Sequence, residues 1–417
     1  MDPVPPARQA PAPSGTARAA APPVLPAPGS MPRSCPLGPP DAYRHALETP
    51  GFSRVTLQYG RYGTLLTRYE DVRAALRDER IGSALHQLPP VLDGQSPPGW
   101  FFGLDGPEHA RYRRVLAKMF SVTRTRRFEP VIRAITDELL DALEPHATGA
   151  DRAVDLMAGL AWPLAVRVPC ALLGISGDDQ ATFKRQVDTL IAPGVTREEI
   201  TEVYRAMWWR MRGLVDAERS GTGGQGLFAE LVADQSGPDA FDDDEIASIG
   251  LSLRIAGLDP IAHLLGLGLF ALLCHPEQLA LVRAAGADAV EELLRFVPFN
   301  NMGAVRVAVQ DTVVDGEPVA QGEVVVASLT AANRDATVFA DPDTLDVTRH
   351  NAAAHLAFGH GPHRCLGRHL AGQVVTVVLD RLLGRFPGLR LAVAAERVPP
   401  FESAGFYGVA ELPVHLT

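Results

Sequence analysis

The chain of 417 residues has few cysteines, few aromatic residues and no long apolar run. Its cysteines are Cys35, Cys170, Cys274 and Cys365, and 6% of its residues are aromatic. Cysteines so few and so widely separated give neither a paired zinc motif nor the cysteine density of a disulfide-stapled secreted domain. We therefore expect a reducing compartment, the cytoplasm.

Two further features are missing from the sequence. No run of about 18 or more apolar residues is present, which argues against a membrane-spanning helix. Basic residues are not in excess either, because 39 Lys and Arg stand against 49 Asp and Glu, for a formal net charge of -10. A general nucleic-acid binder would carry a basic domain or stripe. We expect neither a membrane nor a nucleic acid as a partner.

The first 40 residues are rich in proline and alanine, mixed with Arg8, Arg18 and Arg33. Such a segment buries little apolar surface, so we expect a disordered tail over residues 1–40. The rest is predicted to form one catalytic domain over residues 41–417. With 46% hydrophobic and 21% charged residues overall, the composition is that of a globular protein able to enclose a large cofactor.

The residue pattern predicts a mainly α-helical domain with small β-sheets. Apolar residues recur at helical spacing over residues 69–80, 128–143 and 366–383, whereas residues 54–67 and 305–328 are rich in Val and Thr between turn signals. The longest helix is predicted over about residues 244–274 and should cross the interior. Residues 174–226 are predicted to form mobile surface helices that act as a lid.

The strongest chemical signal is segment 358–367, Phe-Gly-His-Gly-Pro-His-Arg-Cys-Leu-Gly. Its three glycines let the backbone approach a flat ligand and adopt positive φ. Cys365 then lies at a helix start, where the helix dipole favours thiolate over thiol. A lone cysteine is usually a buried free thiol, but the glycine frame argues against that interpretation.

This segment resembles the cysteine loop of the cytochrome P450 superfamily, soluble bacterial type, whose pattern is Phe-Gly-x-Gly-x-His-x-Cys-x-Gly. Every fixed position is met. The resemblance implies the cytochrome P450 fold, with haem b (iron protoporphyrin IX) between the long central helix and the cysteine-loop helix. It implies Cys365 as the iron ligand, and cofactor contacts for Phe358, Gly359, His363 and Gly367. A thiolate ligand favours O–O cleavage more than a neutral histidine does.

A second motif, Glu292-Leu293-Leu294-Arg295, places two charges on one helix face. Alone it predicts only a solvated ion pair. The resemblance implies a buried pair, joined by Arg349, that supports the cysteine loop.

Enclosing haem propionates requires cations or hydrogen-bond donors, because unpaired buried charge is costly. Residues 105–114 resemble the family's Asp-x-Pro-x-His-x-x-x-Arg helix, on which His109 and Arg113 share a face. By resemblance these two side chains bind the propionates, as do Arg306 and His355. The alternative for each is a solvated surface charge.

The sequence departs from the family on the central helix. Ala256-Gly257-Leu258-Asp259-Pro260 resembles the oxygen-binding motif, but Pro260 replaces its threonine. Proline lacks a backbone N–H, so we expect a kink and a free carbonyl at Ala256, where water or a polar substrate group replaces the missing hydroxyl. The alternative is that Pro260 is a tolerated structural variant. We take Ala256, Gly257, Asp259 and Pro260 as the catalytic residues.

The remaining expectations concern the substrate. Helical spacing and the resemblance predict a pocket lined by Ser252, Ile255, Asn300, Asn301, Met302 and Phe406. Asn300 and Asn301 are interpreted as a polar handle for the substrate, although asparagines in turns more often serve the backbone.

Redox partners are expected to be separate proteins, because no flavin or nicotinamide motif accompanies the haem motifs. A ferredoxin and its reductase would supply electrons, docking on a basic patch of Arg111, Arg114, Lys118, Arg364 and Arg368. We expect a monomeric monooxygenase that uses molecular oxygen on a small organic substrate in secondary metabolism. The alternative is oxidative coupling of a peptide or phenolic substrate. Two other classes are a hydrolase using Cys365 with His363, and a haem carrier or sensor.

Overall fold

A computed structural model provides the structure of the protein. It describes residues 24–26, 31–49, 51–57, 62–83, 98–147, 152–175, 181–183, 185–186, 189, 195–233, 237, 239–285, 289–403 and 405–416.

Helices dominate the described chain. In chain order they are α1 Asp41–Glu48, α2 Tyr69–Arg77, α3 Gly106–Met119, α4 Val122–Leu143, α5 Trp162–Leu173, α6 Arg197–Arg219, α7 Leu227–Ala233, α8 Asp243–Cys274, α9 Pro276–Ala285, α10 Val290–Phe296, α11 Leu329–Ala332 and α12 Arg368–Arg385. The strands are β1 Val24–Leu25, β2 Ser53–Thr56, β3 Tyr62–Leu66, β4 Ile81–Gly82, β5 Val154–Asp155, β6 Ala304–Ala308, β7 Thr312–Val314, β8 Glu317–Val319, β9 Val324–Ala327, β10 Arg390–Leu391, β11 Pro400–Glu402, β12 Tyr407–Val409 and β13 Pro413–His415.

The central helix α8 crosses the interior, as the sequence predicts. It begins with a capping box in which the Glu245 N–H donates to the Asp242 carboxylate (2.8 Å) and the Asp242 N–H donates to the Glu245 carboxylate (2.9 Å). It continues through Pro260 to Cys274. By length and composition α8 could span a membrane, but 72% of its most apolar window is buried inside the structure, as in a core helix.

The strands form four small sheets around this helical body. The largest has the order β1-β2-β3-β9-β6-β4, in which β3 pairs parallel to β9 with Leu65 opposite Val326. Strands β11 and β12 form an antiparallel pair near the C-terminus, with Phe401 opposite Gly408. We call residues 400–409 the C-terminal hairpin. The mainly α-helical class with small sheets is therefore confirmed.

The expected disordered tail must be corrected, because part of it is packed onto the domain. Strand β1 pairs in parallel with β2, Val24 opposite Arg54. Met31 and Leu37 are buried, at 2% and 6% exposure. The low apolar content of residues 1–40 predicts no packed structure there. In the structure, two apolar side chains and one buried arginine of this segment nevertheless pack onto the domain. Residues 1–23 and 27–30 lie outside the described residues.

The predicted lid, residues 174–226, falls partly outside the described residues, which omit 176–180, 184, 187–188 and 190–194. Within the described part, residues Arg197–Arg219 form one long helix, α6. Its N-terminus has a capping box between Thr196 and Glu199. The position of α6 against the central helix is set partly by the Trp208 indole N–H, which donates to the Ser248 hydroxyl (2.8 Å).

Candidate functional site

The cysteine loop has the backbone that its glycines predict. Gly359 and Gly361 have φ of +68° and +70°, and a Cβ at Gly361 would lie 2.2 Å from the Leu76 carbonyl oxygen. The Cys365 N–H donates to the Phe358 carbonyl (2.9 Å) and closes the loop. Gly367 differs, because its φ of -78° is ordinary; its N–H instead donates to the Cys365 sulfur. The loop therefore presents the sulfur just before helix α12.

Cys365 is solvent-accessible, although surrounding protein buries its thiol deeply enough to raise the pKa. The opposing contributions come from the Gly367 N–H and from Arg113, Arg368 and Arg364. The expected thiolate bias is thus outweighed by burial in the protein alone. A coordinated metal ion deprotonates a thiol outright, so the arrangement suits a metal ligand.

Basic side chains gather on the side of the domain where Cys365 lies. The His109 ring, 4% exposed, stacks on the His363 ring with centroids 4.0 Å apart, and burial, with the nearby positive charges, lowers the pKa of His109 to about 4. His363 Nε2 donates to Asp105 Oδ1 (2.8 Å). Burial also lowers the pKa of Arg113 and of Arg306. The structure thus brings together four of the predicted cofactor contacts.

The surroundings of Arg113 and Arg306 show whether these residues fit a bound haem. Arg113 and Arg306 have no carboxylate within 4.0 Å among the residues that the structure describes. Desolvated charges without an anion are costly, so a ligand carrying carboxylates would relieve them. In the same part of the chain no cluster of three or more His, Cys, Asp or Glu forms a metal site. One cysteine with two unpaired arginines fits an iron porphyrin with its propionates.

His355 requires a correction. Its Nε2 lies 3.1 Å from the Glu291 carboxylate and its Nδ1 accepts the Ala357 N–H (3.1 Å). Both ring nitrogens are therefore engaged by the protein, and none is left for a propionate. Glu291 directly precedes the Glu-Arg motif, and its charge was the signal that sequence reasoning overlooked.

The Glu-Arg motif forms a buried triad behind the cysteine loop. Glu292 and Arg295 are 0% and 1% exposed and make two hydrogen bonds of 2.7 and 2.8 Å. Arg349 Nε donates to Glu292 at 3.2 Å. Arg295 also donates to the carbonyls of Asn333, Pro342 and Thr344. The triad therefore ties α10 to the segment that leads into the cysteine loop.

The predicted catalytic residues lie in the middle of the central helix. Ala256 is exposed although it lies at the centre of this largely buried helix, so it faces an interior space. Asp259 Oδ1 is buried with no hydrogen-bond partner among the described residues. Burial raises the pKa of Asp259 to about 6, against the opposing charge of Arg254. Asp259 can therefore change protonation near neutral pH. On the other side of α8, Gly257 faces Pro169 of α5.

The asparagine handle must also be corrected. The Asn300 side chain accepts the Gly303 N–H (2.7 Å). Asn301, 2% exposed, donates to the carbonyls of Ser403 (3.2 Å) and Phe406 (3.3 Å), and its oxygen accepts from Arg33. Both amides serve the protein backbone, which is the alternative that asparagine in turns suggests. Of the other pocket residues, Ser252 is fully buried, whereas Ile255, Met302 and Phe406 are partly exposed.

Sequence reasoning missed two polar residues around this region. Arg254, on the central helix, is 0% exposed, and its guanidinium lies beside Cys170, Asp259 and the Phe183 ring. His263 is also 0% exposed, and its ring stacks 4.6 Å from Phe401. Neither side chain satisfies its nitrogens by ordinary hydrogen bonds within the described chain. The signal was available, since both interrupt an otherwise apolar helix.

A cysteine just before a helix, with the unpaired Arg113 beside it, in a mainly helical fold with one long buried helix, is the arrangement of a haem-thiolate protein. The family model "Cytochrome P450" matches residues 287–403, which hold the triad and the cysteine loop. Together with the relatives described next, this match shows that the chain belongs to the cytochrome P450 family.

Two relatives and one solved structure illustrate the likeness. Nocardicin C N-oxygenase of Nocardia uniformis subsp. tsuyamanensis is 41% identical over 87% of this chain and 91% of its own length. Pentalenic acid synthase of Streptomyces avermitilis is 37% identical over 92% and 95%. The cytochrome P450 hydroxylase of the leinamycin biosynthetic pathway of Streptomyces atroolivaceus superposes with a TM-score of 0.82, at 37% identity, over 94% of this chain and 99% of that chain. The chain is accordingly a cytochrome P450 monooxygenase.

Proposed function

We propose that this monooxygenase uses haem b and molecular oxygen to insert one oxygen atom into a small organic molecule of secondary metabolism. The observation that carries the proposal is the accessible Cys365 beside the unpaired cation Arg113, with a second unpaired cation, Arg306, near His109. Relatives named for an N-oxygenase acting on nocardicin C and for a hydroxylase of leinamycin biosynthesis support the substrate class.

We infer that Cys365 ligates the iron while Arg113, Arg306 and His109 hold the propionates. The glycines of the loop allow close approach of a flat ring. Thiolate-ligated haem supplies the oxygen-activating chemistry. The buried triad of Glu292, Arg295 and Arg349 would hold the cysteine loop at a fixed position relative to the rest of the domain.

The chain's own contribution to proton delivery centres on Asp259. With its pKa raised to about 6, its carboxyl can hold a proton at Oδ1 near neutral pH and release it when required. Because Pro260 has no N–H, the Ala256 carbonyl lacks its usual helix partner and can accept a hydrogen bond from water. We propose that water between this carbonyl and Asp259 replaces the threonine hydroxyl.

Electrons would come from a ferredoxin and its reductase, acting on a monomeric, cytoplasmic enzyme. The docking patch expected from sequence is smaller in the structure. Arg111 pairs with Glu245 (2.6 Å) and Arg114 pairs with Asp239, so their charges are largely cancelled. The remaining candidates for docking are the exposed Lys118 and Arg364, with the half-buried Arg368.

The decisive experiment compares the wild type with Cys365→His after haem loading. The reduced carbon monoxide adduct of the wild type should show the red-shifted Soret band of thiolate ligation, and the histidine variant should lose that shift while retaining haem. Identical spectra in the two proteins would refute the proposal. With a substrate in hand, product mass separates oxygen insertion (one oxygen gained) from oxidative coupling (two hydrogens lost).

A further inference from the structure

Arg33 lies in the segment expected to be disordered, yet its side chain is only 5% exposed. Its guanidinium covers the Tyr407 ring at 3.8 Å and donates to the Glu402 carboxylate at 3.2 Å. Arg33 therefore contacts both strands of the C-terminal hairpin: β11 through Glu402 and β12 through Tyr407.

The same guanidinium reaches a second segment. It donates to the Asn301 side-chain oxygen, while the Asn301 amide donates to the carbonyls of Ser403 and Phe406. The Asn301 N–H also donates to the Gly405 carbonyl (3.1 Å). Arg33 is thus linked by hydrogen bonds, through Asn301, to the turn that contains Phe406.

The opposite side of the hairpin rests on the central helix. His263 stacks on Phe401 (4.6 Å) and Phe406 (6.0 Å), and a Cβ at Gly408 would lie 2.2 Å from His263 Nδ1. These contacts are apolar stacking without directional hydrogen bonds. One backbone hydrogen bond, from the Tyr407 N–H to the Phe299 carbonyl (3.0 Å), also holds the hairpin. The side-chain polar contacts that hold it from outside are those of Arg33 and Asn301.

We propose that Arg33 is a positioning residue for substrate selection, which sets the place of Phe406 and Met302 in the pocket wall from outside the pocket. The inference rests on the proposed function only in that these two side chains line the substrate site. Arginine suits this role because its planar guanidinium donates in several fixed directions and stacks on an aromatic ring, which lysine cannot reproduce. Its remaining contact, to the Gly38 carbonyl at 2.6 Å, anchors it in its own segment.

The test uses the haem-loaded enzyme and two azole probes that bind haem iron. Imidazole is small enough to leave the hairpin untouched, whereas a bulky azole such as clotrimazole fills the pocket. In Arg33→Met, the Kd for clotrimazole should change by at least about fivefold, while the Kd for imidazole stays within about twofold. Hydrogen exchange of residues 400–409 should accelerate. Arg33→Lys should recover only part of both effects.

Arg44→Met is the matched control, because Arg44 lies close by in sequence and pairs with Asp343 at the surface, with 40% and 47% exposed side chains. It should leave both Kd values and the exchange rates unchanged. A purely structural role of Arg33 would lower the unfolding temperature and shift the two azoles equally, or not at all, and would overturn the inference. If Arg33→Met cannot retain haem, Arg33→Lys and Glu402→Gln decide by the same comparison. Failure of the wild type to bind imidazole would instead refute the haem-thiolate function.

Discussion

Asp259 carries its carboxyl into the protein interior, where desolvation opposes ionisation. With the pKa raised to about 6 from an ordinary 3.8, the folded protein binds this proton more tightly than the unfolded chain does. The free energy of unfolding therefore falls as pH rises through the window from about pH 4 to pH 6 and loses no more above it.

Asp259→Asn removes this titration. Above about pH 6 the variant should be more stable than the wild type by up to about 3 kcal/mol, and the difference should vanish below about pH 4. Urea unfolding at a series of pH values measures it. A difference that does not depend on pH would mean that Asp259 ionises freely in the folded state.

At the residue scale, sequence predicts best where the chemistry fixes the backbone. The conformation of Gly359 and Gly361 is predictable because few residue types adopt positive φ, and Cys365 follows them in the chain. Asn301 and His355 were misassigned because a polar side chain near a site can serve either ligand or protein. Only their partners, Arg33 and Glu291, distant in sequence, decide between these roles.

Among the helices, α8 has a proline at a position where an interior residue normally donates a hydrogen bond. Pro260→Ala should restore the N–H donor to the Ala256 carbonyl and stabilise the protein by about 1 to 3 kcal/mol. Thermal unfolding provides the measurement. If Pro260→Ala is neutral or destabilising, the surrounding structure already compensates the proline, and the water proposed at the Ala256 carbonyl loses its support.

A Glu-x-x-Arg pair occurs on two helices, buried on α10 and exposed to solvent on α2, so the effect of burial can be compared. Glu292→Gln leaves two arginines beside an uncharged amide and should cost about 3 to 5 kcal/mol, because Arg295 and Arg349 remain buried without their anion. Glu70→Gln breaks a pair of the same spacing on α2, where Glu70 and Arg73 are 73% and 33% exposed, and should cost less than about 1 kcal/mol. Equal losses in chemical denaturation would contradict the assignment of the triad.

Helix positions were predictable from apolar periodicity, with ends displaced by a few residues. The second predicted helix begins at Val122 rather than residue 128, because residues 122–127 are mostly polar and too few of them are apolar to show helical spacing. Strands shorter than five residues, such as β10 and β13, carry too little pattern to be found. Their pairing depends on residues far apart in the chain.

For the molecule as a whole, residues 24–26 and 31–40 pack onto the domain and should contribute to its stability. Deleting residues 1–40 removes β1, buried Met31 and Leu37, and the Arg33 contacts, and should lower the free energy of unfolding by several kcal/mol, about 1 to 3 for each buried apolar side chain. Deleting residues 1–23 keeps every contact described above and serves as the control. Equal unfolding temperatures for the two truncated proteins would show that the segment contributes nothing to stability.

The bond between Arg33 and Glu402 joins residues 369 positions apart. During synthesis at about 5 to 20 residues per second, the arginine waits tens of seconds for its carboxylate to leave the ribosome. Cys365, the proposed iron ligand, emerges almost as late. Neither cofactor capture nor closure of the pocket wall can therefore precede the synthesis of these late residues, and a nascent chain stalled before residue 365 lacks the thiol that we propose as the iron ligand.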